Sequence, residues 1–229
     1  MRDLSSRLSV AADFVEQGSS VCDVGTDHGY LPAFLYLSGK CKRVTATDIR
    51  EKPLKNAQKN LEKLGVQDVK LILCDGLDGV DRQIADTVII TGMGGNVISG
   101  IIDRAEFLRD DTVSLILQPM TAAVTLRKYL AQNGFLTDSE KAVKENSKIY
   151  SVIKAHYCGK PYKLSDVQTL IGKLDTSDAV SREYVEKQYK IISKCAADIE
   201  NVEQMRAEFE KYNLISSQLK NILEGKNGI

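Results

Sequence analysis

The chain has 229 residues, 43% of them hydrophobic, with 31 basic and 31 acidic side chains. That length allows one ordinary domain plus something smaller, with a buried core, and the composition excludes a disordered chain. A formal net charge of zero argues against a generic polyanion binder but leaves room for a local basic face. The apolar runs are too short for a membrane-spanning helix. The opening segment MRDLSSRLSVAADFV is amphipathic and lacks the apolar stretch of a secretion signal, so a cytoplasmic location is expected. Cys22, Cys41, Cys74, Cys158 and Cys195 show no ligand spacing. Reduced thiols are expected, with no disulfide and no metal.

In chain order, short strands rich in Val and Ile are predicted at Ser20–Val24, Val44–Asp48, Val69–Leu73, Thr87–Thr91 and Val113–Leu117. Helical patterns are predicted at Leu31–Leu37, Pro53–Leu64, Leu77–Gln83, Gly95–Arg104 and Ala122–Gln132. Pro53 suits a first helical turn. Strands of this kind fit a parallel sheet covered on both faces. Two longer strands follow, Phe135–Val143 and Ile149–Tyr157, with the turn-like Glu145-Asn146-Ser147 between them, a hairpin pattern. Five strand–helix units and a terminal antiparallel hairpin predict an α/β fold, a Rossmann-like seven-stranded sheet. The ordering is that of a class I methyltransferase domain, not of a dehydrogenase, whose sheet is two similar halves.

Composition shifts near residue 160, which divides the chain into a sheet domain, 1–160, and a helical C-terminal domain, 161–229. The second part has no strand signal. Val185, Tyr189, Ile192, Ala196 and Ile199 form one stripe at helical spacing. Val202, Met205, Phe209, Tyr212, Ser216, Leu219 and Leu223 form another, out of register with the first. Either one helix carries a stammer or the chain turns near Asp198–Asn201 and two helices pair. A lone helix would leave its stripe exposed, which favours a coiled-coil hairpin.

Ligands of open α/β sheets sit beyond the carboxyl ends of the strands, and those ends carry the chemistry. The first ends in Asp23, Gly25, Thr26, Asp27, His28 and Gly29, where glycines let backbone approach a ligand. The second ends in Asp48 and Ile49, an acidic position suited to ribose hydroxyls. The third ends in Asp75 and Gly76, suited to an adenine amino group and ring. The fourth ends in Gly92, Met93, Gly94 and Gly95, and the fifth in Gln118, Pro119 and Met120. No basic side chain in the first loop awaits a pyrophosphate, and the GxGxxG spacing of a dinucleotide site is absent. S-adenosylmethionine fits this set better than NAD.

These motifs carry a resemblance. LSSRLSVAADFV, DVGTDHGYLP, the Asp48-Ile49-Arg50 end, CDGL, TGMGG, LQPM, LRKYLAQNGF and KIYSVI occur in order. Together they resemble the bacterial tRNA (adenine-22-N1)-methyltransferase family, TrmK, over the whole first domain. The resemblance implies methyl transfer from S-adenosylmethionine to N1 of an adenine in the D-arm region of tRNA. It places the cofactor among Gly25, His28, Gly29, Asp48, Asp75, Gly76 and Gly92–Gly95, with Asp27 as the catalytic carboxylate near the methyl group; Asp23, Thr26 and Ile49, at the same strand ends, are expected to join the cofactor contacts. Adenine N1 is a neutral nucleophile and the methylated base is a cation. A fixed carboxylate at Asp27 would stabilise that charge, accept an amino proton, or orient the base. The plain alternative is that Asp27 caps the next helix. His28 reads first as a hydrogen-bonding support, and His156 as structural.

For the RNA, Lys40–Lys63 and Lys141–Lys160 are rich in basic residues, and Lys52, Lys55, Lys59 and Lys63 share one helical face. With Arg7 they either track phosphates or form a solvated outer face. Tyr30, Tyr150 and Met120 are candidates to stack on or wedge against an extruded base, and Gln118 and Pro119 belong to the same substrate-facing end. A methyltransferase for a small molecule or a protein is the alternative function. The tail either grips RNA or pairs with another chain, giving a monomer or weak dimer.

Overall fold

The computed structural model describes residues 4–226. Residues 1–3 and 227–229, the outer ends of the two predicted domains, lie outside the described residues.

The elements run α1 (Ser6–Phe14), β1 (Ser19–Val24), α2 (Tyr30–Leu37), β2 (Cys41–Asp48), α3 (Glu51–Lys63), β3 (Val69–Leu73), β4 (Thr87–Gly94), α4 (Gly95–Arg104), β5 (Ser114–Thr121), α5 (Ala123–Gln132), β6 (Phe135–Glu145), β7 (Lys148–Tyr157), α6 (Asp166–Ile171), α7 (Ala179–Ile199) and α8 (Arg206–Leu223). One seven-stranded sheet has the order β3-β2-β1-β4-β5-β7-β6. The first five strands are parallel, and β7 is antiparallel to both β5 and β6. The predicted Rossmann-like sheet with added C-terminal helices is the fold observed. The order reverses beside β1, between β1 and β4, which opens the crevice where such sheets hold ligands.

Alternation of side chains along the central strands builds two cores. Cys22, Ile90, Leu115 and Leu117 face α4 and α5, packing with Ile98, Ile102, Leu126 and Leu130. Val21, Ile89 and Ile116 face the other way, toward α1, α2 and α3, with Ala11, Leu31, Leu35 and Leu61. A third core joins the tail to the hairpin: Ala142 and Ile149 pack with Val185, Ile192, Ile215 and Leu219.

Two expectations are corrected. No helix forms over Leu77–Gln83; that stretch is a chain of turns. Gly76 and Gly79 take positive φ, +60° and +82°, and the Asp81 carboxylate accepts the Gln83 and Ile84 N–H groups at 2.8 and 3.1 Å. Such a local bond competes with helix propagation. In the tail the chain does turn after Ile199 and α7 and α8 pair. The second stripe is only partly buried, however. Val202 and Met205 are exposed, and α8 buries Ile215, Leu219 and Ile222. The break at 200–205 resets the register. The polar interruption at Ser216 is answered across the pair by Ser193, with the two hydroxyls 2.7 Å apart.

A buried ion pair fastens the tail to the sheet. Arg127 on α5 and Glu140 on β6 are both sealed from solvent. Arg127 Nε donates to Glu140 Oε1 at 3.1 Å, and Nη1 donates to the Thr169 and Leu170 carbonyls at 3.1 and 2.9 Å. Those carbonyls belong to the last turn of α6, where a cation is favoured. Nη2 reaches Ser151 Oγ and the Tyr184 hydroxyl, at 3.2 and 3.4 Å, and Glu140 Oε2 accepts from the Lys173 N–H at 3.2 Å. Gly172, at φ +62°, passes so close that a Cβ there would collide with the Glu140 carboxylate and the Arg127 guanidinium. The charges are thus paired and hydrogen-bonded on every side, as burial demands.

Candidate active site

The parallel strand ends open onto one cleft of about 540 Å³, a size suited to a small-molecule cofactor. Its wall includes Asp23, Gly25, Thr26, Asp27 and His28 after β1, Asp48 and Ile49 after β2, and Asp75 and Gly76 after β3. Gly92 and Met93 at the end of β4, with Arg7 and Tyr30, complete it. Five separate stretches of chain therefore meet as the motifs predict.

The loop after β1 is held by backbone. The N–H groups of Gly25 and Thr26 both donate to the Thr47 carbonyl, at 2.8 and 3.0 Å, which curls the loop over the end of β2. Asn60 of α3 braces it from outside by donating to the His28 carbonyl at 3.0 Å. Gly25 sits at φ +76°, and a Cβ there would strike the Met93 side chain. Asp48 is buried; one carboxylate oxygen accepts the Arg50 N–H at 2.8 Å, which stiffens the loop and leaves the other oxygen for a ligand. Gly76 is fixed by the Thr47 hydroxyl, which donates to its carbonyl at 2.9 Å. Asp75 is partly exposed and pairs with Arg104 at 3.1 Å.

Asp23 carries the strongest electrostatic signal. Burial raises its carboxyl to about 6, the Thr26 hydroxyl pulls it back, and the neighbouring Asp48 charge adds to the rise. A buried carboxyl disfavoured as an anion is one that a bound cation would relieve.

Asp27 answers differently. It has φ +48°, a conformation that costs a non-glycine residue about 1–3 kcal/mol and persists only where the surrounding structure holds it. Its carboxylate does not cap α2, whose N-cap residue is Gly29 and which has no side-chain cap. The side chain is largely exposed at the cleft, with Oδ2 3.4 Å from His28 Nε2. The capping alternative is thereby removed. His28 also packs near Tyr30, ring centres 5.6 Å apart.

Other predicted residues lie outside the cleft wall. Gly29 faces α3, where its Cβ would meet that of Ala57 at 3.0 Å. Gly95 starts α4 hard against the Ala122 carbonyl, and Gly94 lies beside Thr121. These three serve close packing. Gln118 is wholly buried behind Gly92, and Met120 touches Arg7. Pro119 pairs with Met93 in the β4–β5 ladder. Lys52, Lys55, Lys59 and Lys63 are exposed on α3, and Lys55 pairs with Glu51 at 2.9 Å. Tyr150 lies under Arg7, the guanidinium 5.5 Å from its ring centre. His156 binds Asp138 across the hairpin at 2.8 Å, the structural role expected. Arg50 and Leu8, which also line the cleft, lie within the motifs of the resemblance but are not singled out by them as site residues, and Val97 carries no signal in the sequence beyond proximity to TGMGG. Among the described residues no cluster of His, Cys, Asp or Glu is arranged to hold a metal, and no helix is long and apolar enough to cross a membrane.

Comparison with known proteins bears on the same elements. Residues 4–153 match the family described as a methyltransferase domain. The chain belongs to that methyltransferase family. The TrmK likeness read from the motifs also holds. This methyltransferase is 32% identical to the tRNA (adenine(22)-N(1))-methyltransferase of Bacillus subtilis over 153 residues, 66% of this chain and 64% of that protein. The alignment thus spans just under two thirds of that relative. Solved structures align over more of the chain. A Streptococcus pneumoniae protein, described as a candidate tRNA (m1A22) methyltransferase and bound to S-adenosyl-L-methionine, is 30% identical. It superposes with a TM-score of 0.78 over 96% of this chain and 100% of its own. The Bacillus subtilis m1A22 tRNA methyltransferase TrmK is 25% identical, with a TM-score of 0.79 over 97% of this chain and 100% of its own.

Proposed function

We propose that this methyltransferase transfers the methyl group of S-adenosylmethionine to N1 of an adenine in tRNA, at position 22 in the D-arm region, in the cytoplasm. The relatives' activity supports the reading, and the observation that carries it is Asp27, an uncapped carboxylate held in a left-handed conformation at the mouth of the cofactor cleft.

The residues present fit the cofactor. Its sulfonium and ammonium groups match a cleft lined by the buried carboxyls of Asp23 and Asp48. Asp48 would take the ribose hydroxyls and Asp75 the adenine amino group, with Gly25, Thr26, His28, Ile49, Gly76, Gly92 and Met93 around them. When bound, the cofactor supplies an electrophilic methyl group. Asp27 then acts on the target: it accepts from the exocyclic amino group, so that N1 points at the methyl, and its negative charge offsets the positive charge growing on the ring. No proton need leave before attack, so no strong base is required. Tyr30, Tyr150 and Met120 would flank the base. Lys52, Lys55 and Lys59, exposed on α3, would meet phosphates, with affinity falling as salt rises.

Asp23 makes cofactor binding depend on pH. In the free protein its carboxyl lies near 6, above the ordinary 3.8. Binding a cation requires the ionised form, so binding releases a proton below about pH 6, and affinity is lost as pH falls through that value. The dissociation constant for S-adenosylmethionine is expected to weaken about tenfold from pH 7 to pH 5, read by calorimetry. In Asp23→Asn it should be weak and flat across that range.

The deciding experiment for the function offers labelled S-adenosylmethionine with unmodified tRNA and, separately, with total protein and metabolites. The expected product is 1-methyladenosine after digestion of the tRNA. Label in protein or small molecules with inert tRNA would overturn the reading and favour the alternative.

A further inference from the structure

Arg7 is expected from sequence to touch phosphate, but its surroundings assign it different work. It lies one residue into α1 and reaches across the ends of β4 and β5. Nε donates to Glu145 Oε1 at 2.9 Å and the backbone N–H to Glu145 Oε2 at 3.2 Å. Nη1 donates to Gln118 Oε1 at 2.7 Å and lies 3.3 Å from Met120 Sδ. Burial works to raise the Glu145 carboxyl, but the bonds from Arg7 outweigh it and hold it below its ordinary value. The guanidinium charge is therefore answered on the spot, and a paired, half-buried arginine is a poor phosphate hook.

The ladder beside it shows what the arrangement supports. Thr91 pairs with Gln118 and Met93 with Pro119, so the register slips and Gly92 is left over as a bulge. Its N–H donates to the Gln118 side-chain oxygen at 3.1 Å. Gln118 is fully buried, and its Nε2 is spent on the Pro119 carbonyl at 2.9 Å. Its Oε1 thus serves two donors, Gly92 and Arg7, and the amide can face only one way. Gly92, at φ +78°, forms part of the cleft wall. Bulges commonly aim a strand end at an active site, and this one is held by a chain of bonds from Glu145 to Arg7 to Gln118.

We propose that Arg7 is a positioning residue for methyl transfer: through Gln118 it sets the bulged Gly92 peptide in the cleft wall, while Glu145 keeps its charge from the reacting base. The proposal rests on the methyl-transfer reading. An unanswered guanidinium in that wall would oppose the cation formed on the adenine, which gives Glu145 its part.

The test compares the full-length protein with Arg7→Ala and Glu145→Gln. In Arg7→Ala, amide exchange at Gly92 should accelerate about tenfold or more, while Ile89 and Ile90 in the same strand keep their protection. Unchanged exchange at Gly92 would overturn the proposal whatever the activity. The turnover rate on tRNA should fall about 10–100-fold with KM for tRNA nearly constant, and added guanidinium should restore part of it. Glu145→Gln, which keeps an acceptor without the charge, should lower kcat and not weaken tRNA binding. A rise in KM with a flatter salt dependence and unchanged kcat would make Arg7 a phosphate contact and refute positioning. Loss of folded protein without a change in rate per folded molecule, and without rescue, would refute it as well. Wild-type protein inert on tRNA would instead indict the substrate reading, while Gly92 exchange would still judge the Arg7 linkage.

Discussion

Replacing Asp27 by glycine is expected to slow methyl transfer by about 10²–10³-fold and to leave the folded protein as stable as before, or slightly more so. The two effects separate because they have different sources. The backbone at position 27 has φ +48°, which glycine adopts freely and aspartate at a cost. Glycine removes that cost, and no cap on α2 is lost, since Asp27 provides none. What disappears is the carboxylate at the cleft that we propose acts on the base. Asp27→Asn refines the result: if orientation of the base dominates, the amide retains much of the rate, and if charge dominates, it behaves like glycine. The measurements are single-turnover rates on tRNA, S-adenosylmethionine affinity and a melting curve. Full activity in Asp27→Gly with cofactor bound would remove Asp27 from the mechanism.

The largest stability effect is expected at the Arg127–Glu140 pair. Glu140→Ala should cost roughly 3–5 kcal/mol, because it strands a buried guanidinium. The loss would be read as a lower urea midpoint at similar slope. Arg127→Met together with Glu140→Leu should recover much of it, since neither then leaves an unmatched charge, although the α6 carbonyls lose their donor. A cost below about 1 kcal/mol for Glu140→Ala would mean that water enters and solvates the arginine, and that the seal is weaker than its geometry.

The sequence exposed the site more fully than its supports. Asp23, Asp48 and Asp75 mark the ends of successive parallel strands, and in such a sheet those ends must converge, so their meeting in one cleft was legible residue by residue. The hairpin at Asn146 and the break after Ile199 were legible for a similar local reason, in turn residues and lost periodicity. The turns at Leu77–Gln83 were misread because apolar spacing there mimics a helix, while Gly76, Gly79 and the Asp81 side chain decide otherwise. Glu145 and Gln118 were beyond reach as partners of Arg7: the bonds join residues 138 and 111 positions apart, and no local pattern encodes them. The close packing at glycines 29, 94 and 95 was not legible, because a glycine that yields to a ligand and one that yields to a helix look alike in sequence.

The Arg127 guanidinium ends α6 and neutralises β6 at the same time. A protein cut after the second hairpin strand would keep every strand end of the cleft and still be damaged, because Arg127 would lose the carbonyls that cover it and Gly172 would no longer close over the pair. Nor can another appendage be grafted in its place without rebuilding α5 and β6 to receive it. The helices are therefore not interchangeable cargo: α5 and β6 are built to receive them.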